Sequence, residues 1–328
     1  MATQEISAFH LRLADDILAA AATLPTGLAA DGPLPARQDI RILVEELLEI
    51  LFPESHRMGT CDGDLREHVA RTISSLGERL EDAVYLGLHR HCGDARSTAG
   101  KGVTVKKEIG RASCQSRARA IVKRLMTSLP ELRAELANDV LAAYESDPAA
   151  TGVDEIVACY PGLYAIAIYR VAHRLLSFGA EVVPRMLTEH AHSRTGIDIH
   201  PGATIGSSFF IDHGTGIVVG ETTLIGNRVR IYQGVTLGAL SIRDRGRTDK
   251  PNAKKRHPTI EDEVTIYSGA SILGGETVIG RGAVIASNVF VTQSVPAQTR
   301  VSTRNPELQY RNQRPREFKQ EAPLDWSI

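Results

Sequence analysis

The chain changes its hydrophobic rhythm near Gly196. From Ile6 to about Thr195 the apolar residues recur three and four apart, the spacing of one helix face. Ile40, Leu43, Val44, Leu47, Leu48 and Leu51 make one such stripe, with Glu45, Glu46 and Glu49 on the other side. Similar stripes predict helices over Leu65–His91, Lys106–Glu145, Leu163–Phe178 and Glu181–His192. Pro35, Pro53, Pro130, Pro161 and Pro184 sit near the expected starts and breaks. The polar, Gly/Ser/Thr-rich stretch 93–104 reads as a loop between two helical groups. Periodicity alone shows nothing catalytic in this half.

After Gly196 the beat is six. Ile199, Ile205, Ile211, Ile217, Val229 and Val235 share one column with Thr223, and Val219, Ile225, Ile231 and Leu237 form a second, two residues on. Glycines keep the same interval at 196, 202, 214, 220, 226 and 238. The pattern stops, then resumes with Ile260, Ile266, Ile272, Val278, Val284 and Phe290. A period of six suits neither a helix nor a hairpin sheet. It suits a parallel β-helix, whose short strands bury their aliphatic side chains only against neighbouring coils. Val235 and Ile260 are out of phase, so the stretch ALSIRDRGRTDKPNAKK, residues 239–255, is expected to leave the coil as a basic loop. It is read either as a solvated loop or as a flap over a polyanionic ligand.

The predicted architecture is therefore α+β: a helical domain over 1–195, a β-helix over 196–295 and an extended tail over 296–328. The 328 residues carry 38 basic and 39 acidic side chains, a balance that excludes a surface built as a whole for nucleic acid or an anionic membrane. Cys61, Cys92, Cys114 and Cys159 show neither CxxC pairing nor zinc-ligand spacing, as expected of free thiols in a reducing compartment. The start MATQEISAFHLRLADD is acidic where a signal peptide is basic, and no apolar run reaches the ~18 residues of a membrane span. A soluble, cytoplasmic protein is the expectation.

Three histidines fall in or beside the repeats: His200, His213 and His257. His200 and His213 are 13 apart, not a multiple of the roughly 18 residues of a three-hexad coil, so a shared metal site is not expected. The same spacing argues against a carbonic anhydrase of the β-helix class. His213 follows Asp212 and His257 follows Arg256, pairings suited to proton transfer and to carboxylate recognition.

The stretch GIDIHPGATIGSSFFIDHGTGIVVGETTLIGNRVRIYQGVTLGA, followed by RHPTIEDEVTIYSGASILGG, closely resembles the serine O-acetyltransferases. These hexapeptide-repeat enzymes make O-acetylserine for cysteine biosynthesis. The resemblance extends back through SDPAATGVDEIVACYPGLYAIAIYR, whereas the first ~100 residues match only in being helical. It implies a left-handed β-helix, acetyl-CoA as co-substrate and no permanently bound cofactor or metal. By matching positions, His213 is the implied general base and Asp198 the carboxylate that orients it. Asp147 and Asp212 would hold the serine ammonium, and Arg256 and His257 its carboxylate. Without the resemblance, the position of Asp147 before Pro148 favours a helix N-cap. The oxyanion donor is a backbone amide or His257.

Acetyl-CoA is implied to lie between neighbouring β-helices, near Gly238, Ala239, Ser268 and Gly269. Ala239 stands where short-loop members have a second glycine, and the loop here is longer and more basic. The resemblance also implies a homotrimer, with pairing into hexamers left open, and feedback inhibition by L-cysteine. Ile328 resembles the terminal isoleucine by which these enzymes dock into O-acetylserine sulfhydrylase. Two rivals remain. A sugar acetyltransferase would not need the Arg256–His257 pair, and a non-catalytic scaffold for the sulfhydrylase would be expected to lose His213 or Asp198.

Overall fold

The computed structural model describes residues 8–22, 33–53, 55, 64–92, 111–240 and 255–304. The predicted loop 93–104, all but the ends of the basic loop 239–255, and Ile328 lie outside the described residues. Among the described residues seven helices precede the solenoid: α1 (Ala8–Ala22), α2 (Arg37–Leu51), α3 (Leu65–Cys92), α4 (Arg111–Ser146), α5 (Val153–Cys159), α6 (Pro161–Ser177) and α7 (Val183–Thr195).

The predicted stripe of α2 is its buried face. Glu49 is buried with it, because α3 brings His68 Nε2 to 2.6 Å from its carboxylate. The predicted 106–145 helix is α4, and two details add to the sequence pattern. α4 continues through Pro130, since Leu125, Leu129, Leu132 and Leu136 are buried on both sides and packing offsets the missing hydrogen bond. The short helix α5 was not anticipated, having too few turns to show a periodicity.

Fourteen short strands follow among the described residues, and their pairings there are all parallel. They make a left-handed β-helix of about four turns with three flat faces. Face A stacks β1 (Asp198–Ile199), β4 (Val218–Val219), β7 (Thr236–Gly238), β10 (Ser271–Leu273) and β13 (Phe290–Val291). Face B stacks β2 (Thr204–Ile205), β5 (Leu224–Ile225), β8 (Thr259–Ile260) and β11 (Val278–Ile279). Face C stacks β3 (Phe210–Asp212), β6 (Arg230–Tyr232), β9 (Thr265–Ile266), β12 (Val284–Ile285) and β14 (Arg300–Val301). The chain runs A to B to C and back to A, so each coil turns three edges.

The register revises the hexad columns in two places. Ile199 stacks on Val219 and Ile211 on Ile231, so the column through Ile199, Ile205 and Ile211 continues in Val219, not Ile217. The coil is two residues longer than three hexads where Asp212–Gly216 turns the C–A edge. The second slip follows Ile272, whose buried successors are Ile279, Ile285 and Val291 rather than Val278, Val284 and Phe290. Gly274, in the left-handed region at φ 105°, takes up the extra residue, and Phe290 is left 68% exposed.

The helical half closes the open end of the solenoid, and both share one hydrophobic core. The contact is specific. Gly162, in the first turn of α6, lies so close to β3 that a Cβ there would stand 2.4 Å from the Ile211 carbonyl oxygen. Tyr169 Oη donates to Ala203 O at 2.6 Å. Arg170, 3% exposed, grips both Asp139 oxygens at 2.7 and 2.9 Å and donates to Gly206 O, while Asp139 accepts the Phe209 N–H. A buried pair satisfied on every side holds α4, α6 and the first coil in one register, and removing one partner of such a pair costs about 3–5 kcal/mol. This explains the Tyr-Arg ending of the 146–170 segment. Among the described residues no single helix is long and apolar enough to cross a membrane.

Candidate active site

The C–A edge carries the first group of polar residues. Asp212 ends β3, and His213 follows it in a left-handed turn at φ 57°. Gly214, at φ 91°, allows the turn because a Cβ there would meet Ile197 Cδ1 at 2.4 Å. His213 points outward, 70% exposed, with Nδ1 3.7 Å from Asp212 Oδ1. Asp147, just past the end of α4, reaches the same edge. It is not a helix N-cap, for Gly152 occupies that position before α5. Its Oδ1 accepts the Ala149 N–H at 2.9 Å and its Oδ2 the Tyr160 hydroxyl at 2.6 Å. The Tyr160 hydroxyl, then the Ala149 N–H, hold its carboxyl below the usual range, and the field of His213 adds to them. Ser268 and Gly269 lie further along this edge, between β9 and β10.

The A–B edge carries the second group. His257 is 8% exposed and sits over Gly220, where a Cβ would stand 2.1 Å from its Cδ2. Its Nδ1 accepts the Thr222 N–H at 3.0 Å, so the ring's proton is on Nε2. Burial, then the neighbouring Arg256 guanidinium, push the imidazole down to about 4, which keeps it a neutral donor. Arg256 pairs with Glu221 on the coil before it. His200 stands on the same edge; burial lowers its basicity too, and its Nδ1 accepts the Gly202 N–H. Gly238 ends β7 here, with Ala239 next to it.

Asp198 belongs to neither group. It lies on face A in β1, with its carboxylate 3.9 Å from Arg185 and beside Glu189 and His192, and in this chain it does not reach His213. The single chain thus gathers Asp147, Asp212 and His213 at one edge and Arg256 and His257 at another. Tyr160, Thr222 and Glu221 were absent from the sequence reading. Thr222 and His257 are offset like the paired β5 and β8 strands, a signal readable only once the loop between them is counted out.

A helix-capped left-handed β-helix with an exposed imidazole at one edge and an Arg–His pair at the next defines a hexapeptide-repeat acyltransferase. Comparisons narrow the class. The plasmid serine acetyltransferase of Synechococcus elongatus is 44% identical over 286 residues, 85% of each chain. Serine acetyltransferase 1 of Entamoeba histolytica, solved with L-cysteine, superposes with a TM-score of 0.67 at 34% identity, covering 83% of this chain and 89% of that one. The Neisseria gonorrhoeae serine acetyltransferase, solved with serine, gives 0.50 at 25% identity over 80% and 94%. No family model matches the chain. The chain belongs to the serine acetyltransferases.

Proposed function

We propose that this chain transfers the acetyl group of acetyl-CoA to the hydroxyl of L-serine, giving O-acetylserine and CoA, in cysteine biosynthesis. The observation that carries the reading is the exposed His213 imidazole beside the carboxylates of Asp147 and Asp212, which have no Lys or Arg partner among the described residues. Two unneutralised carboxylates suit a ligand ammonium. The imidazole takes the serine hydroxyl proton as that oxygen attacks the thioester carbonyl, then returns it to the departing CoA sulfur. Arg256 receives the serine carboxylate. His257, a neutral Nε2–H donor, is suited either to that carboxylate or to the oxyanion.

The two groups occupy different edges of one prism, so they meet only if the C–A edge of one subunit faces the A–B edge of the next. A homotrimer supplies three such grooves, and Gly238 and Ala239 of one subunit with Ser268 and Gly269 of another would flank acetyl-CoA in each. Asp198, on the face between the edges, is the orienting carboxylate that the family resemblance implies. Arg185 would have to release it, and Asp212 is the acid already beside Nδ1. L-Cysteine, found with the Entamoeba relative, differs from serine by one atom and would occupy the same site as a feedback inhibitor.

The test is CoA thiol release with L-serine, beside homoserine and glucosamine as acceptors. Serine-dependent release is expected. Release with glucosamine alone would replace the reading with a sugar acetyltransferase, and no release with any acceptor from folded protein would favour a regulatory scaffold.

A further inference from the structure

Charged side chains around the two edges are held in two different ways. Asp198 faces Arg185, and Glu221 is paired with Arg256. Asp147 is held instead by neutral donors, the Tyr160 hydroxyl on one oxygen and the Ala149 N–H on the other. The distinction matters for binding. An arginine at this place would fix the carboxylate but cancel its charge, and a ligand ammonium would have to displace it. A phenol fixes the carboxylate and leaves the full negative charge to the ligand.

We propose that Tyr160 is a positioning residue for the amino-acid substrate: its hydroxyl locks the Asp147 carboxylate in the orientation that receives the ligand ammonium. The inference rests on the reading of Asp147 as the ammonium ligand. Its geometry stands on three contacts. Tyr160 precedes Pro161, the first residue of α6, which sets the backbone there. Gly162 presses directly on the Ile211 carbonyl, one residue before Asp212 and two before His213. The phenol ring packs against the small cluster of Val140, Ala143, Ile156, Leu163 and Phe210, which joins α4, α5, α6 and β3. Together these contacts place Tyr160, Asp147, Asp212 and His213 in a common frame.

The field is consistent with this arrangement. The same hydrogen bond that lowers the Asp147 carboxyl raises the Tyr160 phenol, so both stay in their binding forms across neutral pH. Asp212 and Glu155 add to the negative potential on the phenol. On the other side of Asp212 its ladder partner Tyr232 stacks on Tyr267 with ring centres 5.1 Å apart, so a stacked aromatic pair adjoins that carboxylate as well.

The deciding variant is Tyr160→Phe, which keeps the ring and removes only the donor. The KM for L-serine is expected to rise about tenfold, the effect of losing a hydrogen bond to a charged group, with kcat and the KM for acetyl-CoA held within about twofold. In an Asp147→Asn background the same substitution should have no further effect on the serine KM. An unchanged serine KM in Tyr160→Phe overturns the proposal, as does a fall in kcat with both KM values rising together, or an additive effect in the Asp147→Asn background. A melting temperature taken alongside identifies a loss of fold, in which case the KM values for serine and acetyl-CoA of the remaining folded enzyme, which do not depend on its amount, decide. If wild type releases no CoA with serine, or Asp147→Asn leaves the serine KM untouched, the underlying reading of the site fails and the proposal with it.

Discussion

Two edges of the same prism use similar backbone and opposite side-chain chemistry. At the B–C edge, Asn227 and Asp262 stack coil on coil: Asn227 Oδ1 accepts the Ser207 N–H at 2.9 Å, Asp262 Oδ1 accepts the Asn227 N–H at 2.8 Å, and Arg281 closes on Asp262. Arg228 and Glu263 pair alongside. At the C–A edge, among the described residues, the one ion-pair partner of His213 is Asp212, 3.7 Å away. Left-handed backbone does not separate the two, since Ser208, Arg228 and Glu263 at the quiet edge share the positive φ of His213. Such torsions are how a coil turns its corners. A functional edge is marked instead by a turn longer than the repeat and by polar groups left for something outside the chain.

The sharpest way to break this comparison is His213→Ala. Its kcat is expected to fall by about 10²-fold or more, the usual worth of a general base, while Asp262→Ala at the quiet edge leaves kcat unchanged. The two-edge site adds a stronger form of the test. His213→Ala and His257→Ala spoil different edges, so each alone is expected to be severely impaired. Mixed trimers pair an intact C–A edge with an intact A–B edge in some grooves and should recover activity. Steady-state rates of co-expressed mixtures measure this, and no recovery would mean that each chain carries its own complete site.

A smaller effect is expected from Gly220→Ala. The added methyl would stand 2.1 Å from His257 Cδ2, so the ring must swing out and give up the Thr222 bond that fixes its tautomer. Turnover should drop about tenfold while the serine KM responds less, if the ring serves the oxyanion rather than the ground-state carboxylate. A rise in serine KM alone would assign it to the carboxylate.

Much of this was legible in the residues. Repeats of six predict the solenoid because each coil needs an aliphatic residue at each inward position, and the Asp212–His213 and Arg256–His257 neighbours are adjacent in the chain. What escaped depends on distances that spacing does not encode. The hexad count misplaces Ile217 and Phe290 because extra residues enter at edges, although Gly214, Gly216 and the pair Gly274–Gly275 mark both places. Tyr160 meets Asp147 only through the docking of α6 on β3, and Thr222 meets His257 across a loop of free length. Asp198 faces Arg185 because β1 packs back along α7, whose first turn carries Arg185, a juxtaposition that a motif match passes over.

The smallest predicted effect distinguishes the edges by stability. His257 is held neutral down to about pH 4, against an ordinary value of 6.5. As pH falls between those values the unfolded chain binds a proton that the folded one refuses, so stability is fully present above about 6.5 and declines toward about 4. His200, on the same edge and also lowered by burial, contributes in the same direction, with Glu221 opposing and Arg256 and Lys255 reinforcing the shift of His257. Denaturant unfolding at a series of pH values should therefore show the slope of His257 vanish in His257→Gln, leaving those of His200 and of His190, which burial also lowers. Asp262→Ala, which touches no imidazole, should lower stability by about 1 kcal/mol at every pH and leave the slope alone. An identical slope in wild type and His257→Gln would show that the imidazole is not held neutral, and with it would go the argument that the A–B edge presents an uncharged donor.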